Sequence, residues 1–107
     1  MTLHDGPFQS IANKRKDIEM RLYDEKRKQI QKEDIIEFEN VITKEKIMVI
    51  VIDIHIFENF EELYNNFSKE RIGYLPQETA NPKDMEKYYS KEAISKNKVV
   101  GIEIKLI

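Results

Sequence analysis

The chain has 107 residues and a mass of 12.8 kDa, with 18 Lys and Arg against 20 Asp and Glu, for a net charge of −2. That length holds one domain, residues 1–107, and 40% hydrophobic residues are enough for a small core and too many for a disordered segment. The absence of cysteine excludes disulfides, thiolate zinc sites and cysteine nucleophiles, and the longest apolar run, Ile47–Ile52, falls far short of the ~18 residues of a membrane span, so a soluble, cytoplasmic domain is expected.

In chain order, His4-Asp5-Gly6 followed by Pro7 predicts a helix start, since proline suits the first helical turn. Phe8, Ile11 and Ala12 form its apolar stripe, and Asn13 ends it. From Asp17 to Tyr23 the pattern alternates: Ile18, Met20 and Leu22 on one side, Glu19, Arg21 and Tyr23 on the other, as in a half-buried strand. Asp24–Gln31 reads as polar turns with Asp24 as cap. Asp34–Glu39 is a second strand, with Ile36 and Phe38 sharing a face.

After a reversal at Thr43-Lys44-Glu45 comes the longest strand, Lys46–Phe57. Ile50, Ile52, Ile54 and Ile56 occupy one face; Val49, Val51, Asp53, His55 and Phe57 occupy the other. A strand apolar on both sides belongs in a closed or curled sheet. Phe60, Leu63, Tyr64 and Phe67 predict an amphipathic helix over 59–67, and Ser68 caps a further turn that Gly73 closes. Tyr74–Asn81 is irregular, Pro82 opens a helix running to about Ile94, and Val100–Leu106 is the terminal strand. The order predicts an α+β domain whose strands close as a small β-barrel.

Charge is unevenly spread. Residues 14–32 carry eight cations against four carboxylates, leaving +4 there and −6 on the remainder. Such a segment suits an anionic partner, with Lys14, Arg15, Lys26, Arg27 and Lys28 as phosphate-binding candidates; a solvated lysine-rich surface is the plain alternative. The inventory excludes a Gly-rich phosphate loop, because Gly6, Gly73 and Gly101 are scattered. His4 and His55 lack familiar ligand spacing, so neither a metal nor a cofactor is expected, and Asp53 with His55 reads as a polar patch at a barrel end. The informative group is Lys16, Glu19 and Arg21. Two cations and a carboxylate can surround a planar polar ligand, although on residue types alone a surface ion pair worth ~0–1 kcal/mol competes.

Pro7-Phe8-Gln9-Ser10-Ile11, Asn13-Lys14-Arg15-Lys16-Asp17-Ile18-Glu19-Met20-Arg21 and Asp34-Ile35-Ile36-Glu37-Phe38 together resemble the ASCH domain (activating-signal-cointegrator homology). Members typically show a helix ending in a Gly-x-Lys turn, a Glu-x-Arg strand and a Gly-Asp-x-(apolar)-x-Phe strand. The similarity extends through the Phe60–Tyr64 helix to Gly101-Ile102-Glu103-Ile104. Asn13 stands where the family has the glycine of the helix-ending turn, and Glu33 stands for the glycine before Asp34. The resemblance implies a PUA-like barrel of five or six strands with flanking short helices, and RNA or nucleotide binding in a cleft lined by Lys16, Glu19 and Arg21. One branch of small bacterial members hydrolyses N4-acetylcytidine with a lysine, a threonine three residues later and a glutamate. Lys16 matches the lysine, Glu19 occupies the threonine position, and Glu78 is the candidate glutamate.

Three expectations follow. The first is RNA or nucleotide binding by a monomer or weak homodimer; the Tyr74–Asn81 loop reads equally as a lid that brings Tyr74, able to stack on a base, and Glu78 over the cleft, or as a solvated connector whose Tyr74 and Leu75 cover the barrel edge. The second is an amidohydrolase in which Lys16 stabilises the oxyanion and Glu19 or Glu78 activates water. The third is a protein-interaction surface on the acidic helix around Glu58, Glu61 and Glu62. Richness in Ile, Lys and Glu suggests an AT-rich bacterial genome.

Overall fold

Pro7 in the first turn and the buried pair Phe8 and Ile11 establish helix α1, Asp5–Ala12, in a computed structural model that describes residues 1–107. Before it lies a two-residue strand, β1 (Thr2–Leu3), too short to leave a periodic trace in the sequence. The other strands are β2 (Ile18–Leu22), β3 (Ile35–Asn40), β4 (Lys46–Phe57) and β5 (Val99–Leu106). They form one mixed sheet in the order β1-β3-β4-β5-β2, with β1 parallel to β3 and the remaining pairs antiparallel. The α+β expectation holds, and the sheet curls as a half-barrel of five strands whose edges are β1 and β2. No helix is long and apolar enough to cross a membrane.

The two faces of the sheet carry separate cores. On one, α1 packs Phe8 and Ile11 against Leu3, Phe38, Val51 and Ile102. On the other, helix α2 (Phe60–Asn66) packs Phe60 and Leu63 against Ile18, Met20 and Val99. Asn59 caps α2 by accepting from the Glu62 amide at 2.9 Å.

The face assignment along β4 is corrected by a β-bulge. Val51 pairs with Ile104 but Asp53 pairs with Glu103, so Ile52 is the extra residue. Up to the bulge the odd-numbered Val49 and Val51 face the α1 core. Beyond it Ile54, paired with Ile102, takes that side, while Asp53, His55 and Phe57 turn to the α2 side.

The single helix expected over 82–94 is two pieces: a 3-10 helix, Pro82–Lys87, and α3, Lys91–Asn97. Ser90 breaks the run, its hydroxyl accepting from the Ala93 amide at 3.1 Å to start α3 afresh. A second 3-10 turn, Arg27–Gln29, follows Asp24, which accepts from the Arg27 amide as a cap. The left-handed residue after α1 is Lys14 (φ 63°), not Asn13 (φ −86°), so the departure from glycine falls one residue later than the resemblance suggested. Glu33 does have positive φ, 73°.

Candidate ligand-binding cleft

Lys16 leaves the turn that closes α1, its amide donating to the Ser10 carbonyl at 3.0 Å. Glu19 and Arg21 project from β2 on the α1 side of the sheet, opposite Ile102 and Val100. Lys16 Nζ lies 2.9 Å from Glu19 Oε1, and Arg21 Nε donates to Glu19 Oε2 at 2.8 Å. Arg21 also donates through a terminal nitrogen to the Thr2 carbonyl at 3.0 Å, bridging the β1 and β2 edges of the open half-barrel. Lys16 is 7% exposed and Glu19 3% exposed, which overturns the reading of these groups as a surface ion pair. Burial acts to raise the Glu19 carboxyl, but the Lys16 and Arg21 charges and their hydrogen bonds outweigh it and hold the group below the usual glutamate range.

Gly73 forms the wall over Lys16. Its φ is +112°, and a Cβ there would stand 3.2 Å from Lys16 Cδ, so glycine permits both the turn and the close approach. The Arg71 carbonyl in the same segment accepts from the Asp17 and Ile18 amides, tying it to the start of β2.

These groups line a cleft of about 710 Å³ at the seam between β1 and β2, within the size range of small-molecule sites. Its other wall is aromatic, with Tyr64, Tyr74, Tyr88 and Tyr89. Tyr74 and Tyr64 meet edge-on with their hydroxyls 2.9 Å apart, and the Tyr74 hydroxyl donates to Asp84 Oδ2 at 2.7 Å. Burial pushes both phenols up from their ordinary value. Tyr89 stacks on Phe60, while Tyr88 remains 58% exposed beside His4.

Lys16, Glu19, Arg21, Tyr74 and Glu78 all line this one cleft, although they come from separate stretches of the chain. Tyr74 is cross-braced rather than loose. Glu78 is engaged locally, its carboxylate accepting from the Leu75 amide at 2.7 Å. Of the phosphate-binding candidates only Arg15 reaches the cleft; Lys14, Lys26, Arg27 and Lys28 lie outside it. Arg27 pairs with Asp24 at 3.1 Å and Lys28 with Glu25 at 3.2 Å. Gly73, expected only to close a turn, and Tyr88 and Tyr89, which fall within the helix expected from Pro82 to about Ile94, are cleft residues that the sequence did not single out. The adjacent Tyr88-Tyr89 pair was the available signal, since successive helical side chains point about 100° apart and one ring of such a pair tends to lie off the centre of the core face. His55 has a carboxylate partner from another strand, Glu103 of β5, which its spacing in the sequence did not reveal.

A sequence model of the ASCH domain matches residues 1–107. The crystal structure of hypothetical protein PH0355 is 34% identical, with a TM-score of 0.86 over 100% of this chain and 96% of that one. The solution NMR structure of protein PF0455 from Pyrococcus furiosus is 30% identical, with a TM-score of 0.71 over 100% of this chain and 98% of that one. Among curated proteins nothing matches. The full-length family match, the two similar folds and the helix, turn and strand order that brings Lys16, Glu19 and Arg21 together agree: the chain belongs to the ASCH domain family.

Proposed function

We propose that the protein binds RNA or a nucleotide-like ligand by holding one base in the β1–β2 cleft. The observation that carries this reading is a chain of buried Lys16 and Glu19 and partly exposed Arg21 at one wall of a 710 Å³ cleft, with tyrosines at the other. Arg21 has N–H groups beyond those given to Glu19 and Thr2, and Lys16 has donors beyond the one facing Glu19. Those donors suit the oxygen and nitrogen edge of a base, and an exposed ring such as Tyr88 suits its flat face. Arg15 at the rim suits a phosphate.

Hydrolysis of an acylated cytidine is the weaker reading. A general base works best with a pKa near the operating pH, and Glu19 is held lower than an ordinary glutamate. Both of its oxygens face cations, and the Glu78 carboxylate is occupied by the Leu75 amide. Neither carboxylate is poised to activate water. The acidic helix of the third expectation carries local contacts: Glu62 accepts from the Glu58 amide, and Glu58 pairs with Lys98.

Calorimetric titration with cytidine, N4-acetylcytidine and a short single-stranded RNA tests the proposal on wild type, Tyr88→Ala and Arg15→Ala. Wild type binds the RNA at about 50 mM salt, and Tyr88→Ala weakens it roughly 10-fold, as expected for one lost stacking contact. Equal affinity for wild type and both variants, or no RNA binding at low salt, overturns the reading. Release of acetate from N4-acetylcytidine transfers the assignment to the amidohydrolase.

A further inference from the structure

We propose that Asp53, His55 and Glu103 form a binding site for one divalent first-row transition ion of zinc-like chemistry, on the sheet face opposite Glu19 and Arg21. One ligand atom from each of the three residues lies within 4.8 Å of the others. Tetrahedral zinc with nitrogen and oxygen ligands separates its donors by roughly 3.4 Å, so small side-chain rotations close the set around an ion. An imidazole with two carboxylates is a borderline donor set that suits zinc or manganese better than calcium or magnesium. The three side chains are partly exposed, which admits an ion from solvent and leaves room for water at the remaining positions.

The backbone and its neighbours build this arrangement. Without the bulge at Ile52, Asp53 and His55 would fall on the α1 side with Ile102; with it, Asp53 stands directly across from Glu103. His55 Nε2 is 2.9 Å from Glu103 Oε1, and the ring packs edge-on against Phe67 at 5.1 Å. Arg71 approaches the other Glu103 oxygen at 3.4 Å and is itself held by the two hydrogen bonds it donates to the Asp17 carboxylate, at 2.9 and 3.1 Å. Orientation of a ligating carboxylate by an outer partner is the usual support of a metal site. The Ile54 amide donates to Asp53 Oδ1, which is also the oxygen nearest Lys32 Nζ, and Oδ2 accepts no hydrogen bond. Around the imidazole the carboxylates Asp17, Asp53 and Glu103 outnumber the cations Arg71 and Lys32.

Calorimetric titration of the full chain with Zn²⁺, with visible absorption of Co²⁺ as a second probe, tests the site. Wild type and His4→Gln bind one equivalent, and binding weakens at least 10-fold in both Asp53→Asn and His55→Ala. Lys32→Ala tightens it, because Asp53 loses a competing cation. Asp53 is partly exposed, so Asp53→Asn keeps the test valid if circular dichroism shows His55→Ala to be misfolded. Absence of saturable binding overturns the site, as does affinity undiminished in Asp53→Asn. Binding lost in His4→Gln and kept in His55→Ala places the ion elsewhere and overturns it equally.

Discussion

At Glu19 two carboxylate oxygens meet two cations, Lys16 on Oε1 and Arg21 on Oε2, in a place almost without solvent. Burying Lys16 and Glu19 is costly, and the net worth of such a group against an apolar replacement is small. Breaking it is different, because removal of the central charge leaves buried Lys16 facing the partly exposed Arg21 with nothing between them to offset their repulsion. Glu19→Gln therefore lowers stability by about 3–5 kcal/mol in urea denaturation. Its pH dependence has a definite sign. The folded carboxyl titrates below its ordinary value of 4.5, so its contribution is complete above that pH and is lost as pH falls through the lower folded value. The stability gap between wild type and Glu19→Gln consequently narrows below pH 4.5 and stays constant above about pH 6. A gap unchanged down to about pH 3 would show that Glu19 is not held ionised by its neighbours. The alternation of β2 placed Glu19 and Arg21 on one face in the sequence; their burial could not be read there, because it depends on α1 and the 71–73 segment closing over them.

Glu33 shows an element-scale strain in the connection from the Arg27–Gln29 turn to β3. Its φ of 73° is the left-handed region, costing a residue with a Cβ about 1–2 kcal/mol. The position is pinned, since the Glu33 amide donates to the Val51 carbonyl at 2.8 Å and Asp34 Oδ2 accepts from the Gln31 amide at 2.8 Å. Glu33→Gly removes the strain but loosens the unfolded chain, an opposing effect of about 0.4–1 kcal/mol. The net expectation is stabilisation by about 0.5–1 kcal/mol, read as a higher denaturation midpoint with Glu33→Ala as control. An equal gain in Glu33→Ala would assign the effect to charge and not to backbone conformation. The resemblance made this turn legible because the family has glycine there. Other features of the same scale were not legible: the two residues of β1 carry no period, the Ile52 bulge reverses a period-2 pattern without changing its composition, and Ser90 looks like any polar residue in the 82–94 stripe until its hydroxyl meets the Ala93 amide.

For the whole molecule the open seam of the half-barrel matters most, because it brings residues as far apart in sequence as Thr2 and Tyr89 to one cleft, with Arg15 among them. Burial, with the Arg21, Lys26 and Arg27 charges, pulls the amino terminus below its ordinary value, and Arg21 meets the β1 edge directly through the Thr2 carbonyl. Five basic residues were read as phosphate contacts, but Arg27 and Lys28 are already paired with Asp24 and Glu25, leaving Lys14, Arg15 and Lys26 without carboxylate partners. For single-stranded RNA the logarithm of affinity falls against the logarithm of salt with a slope of about −0.7 per phosphate neutralised, so three contacts give a slope near −2. Raising salt from about 50 to 200 mM then weakens RNA binding roughly 20-fold, while a free nucleoside, which carries no phosphate, binds the cleft with little change. A slope near −3.5 would mean that RNA opens both ion pairs and recruits all five cations. A slope near zero with RNA still bound would place recognition entirely in the cleft, and the positive segment would then be a solvated surface.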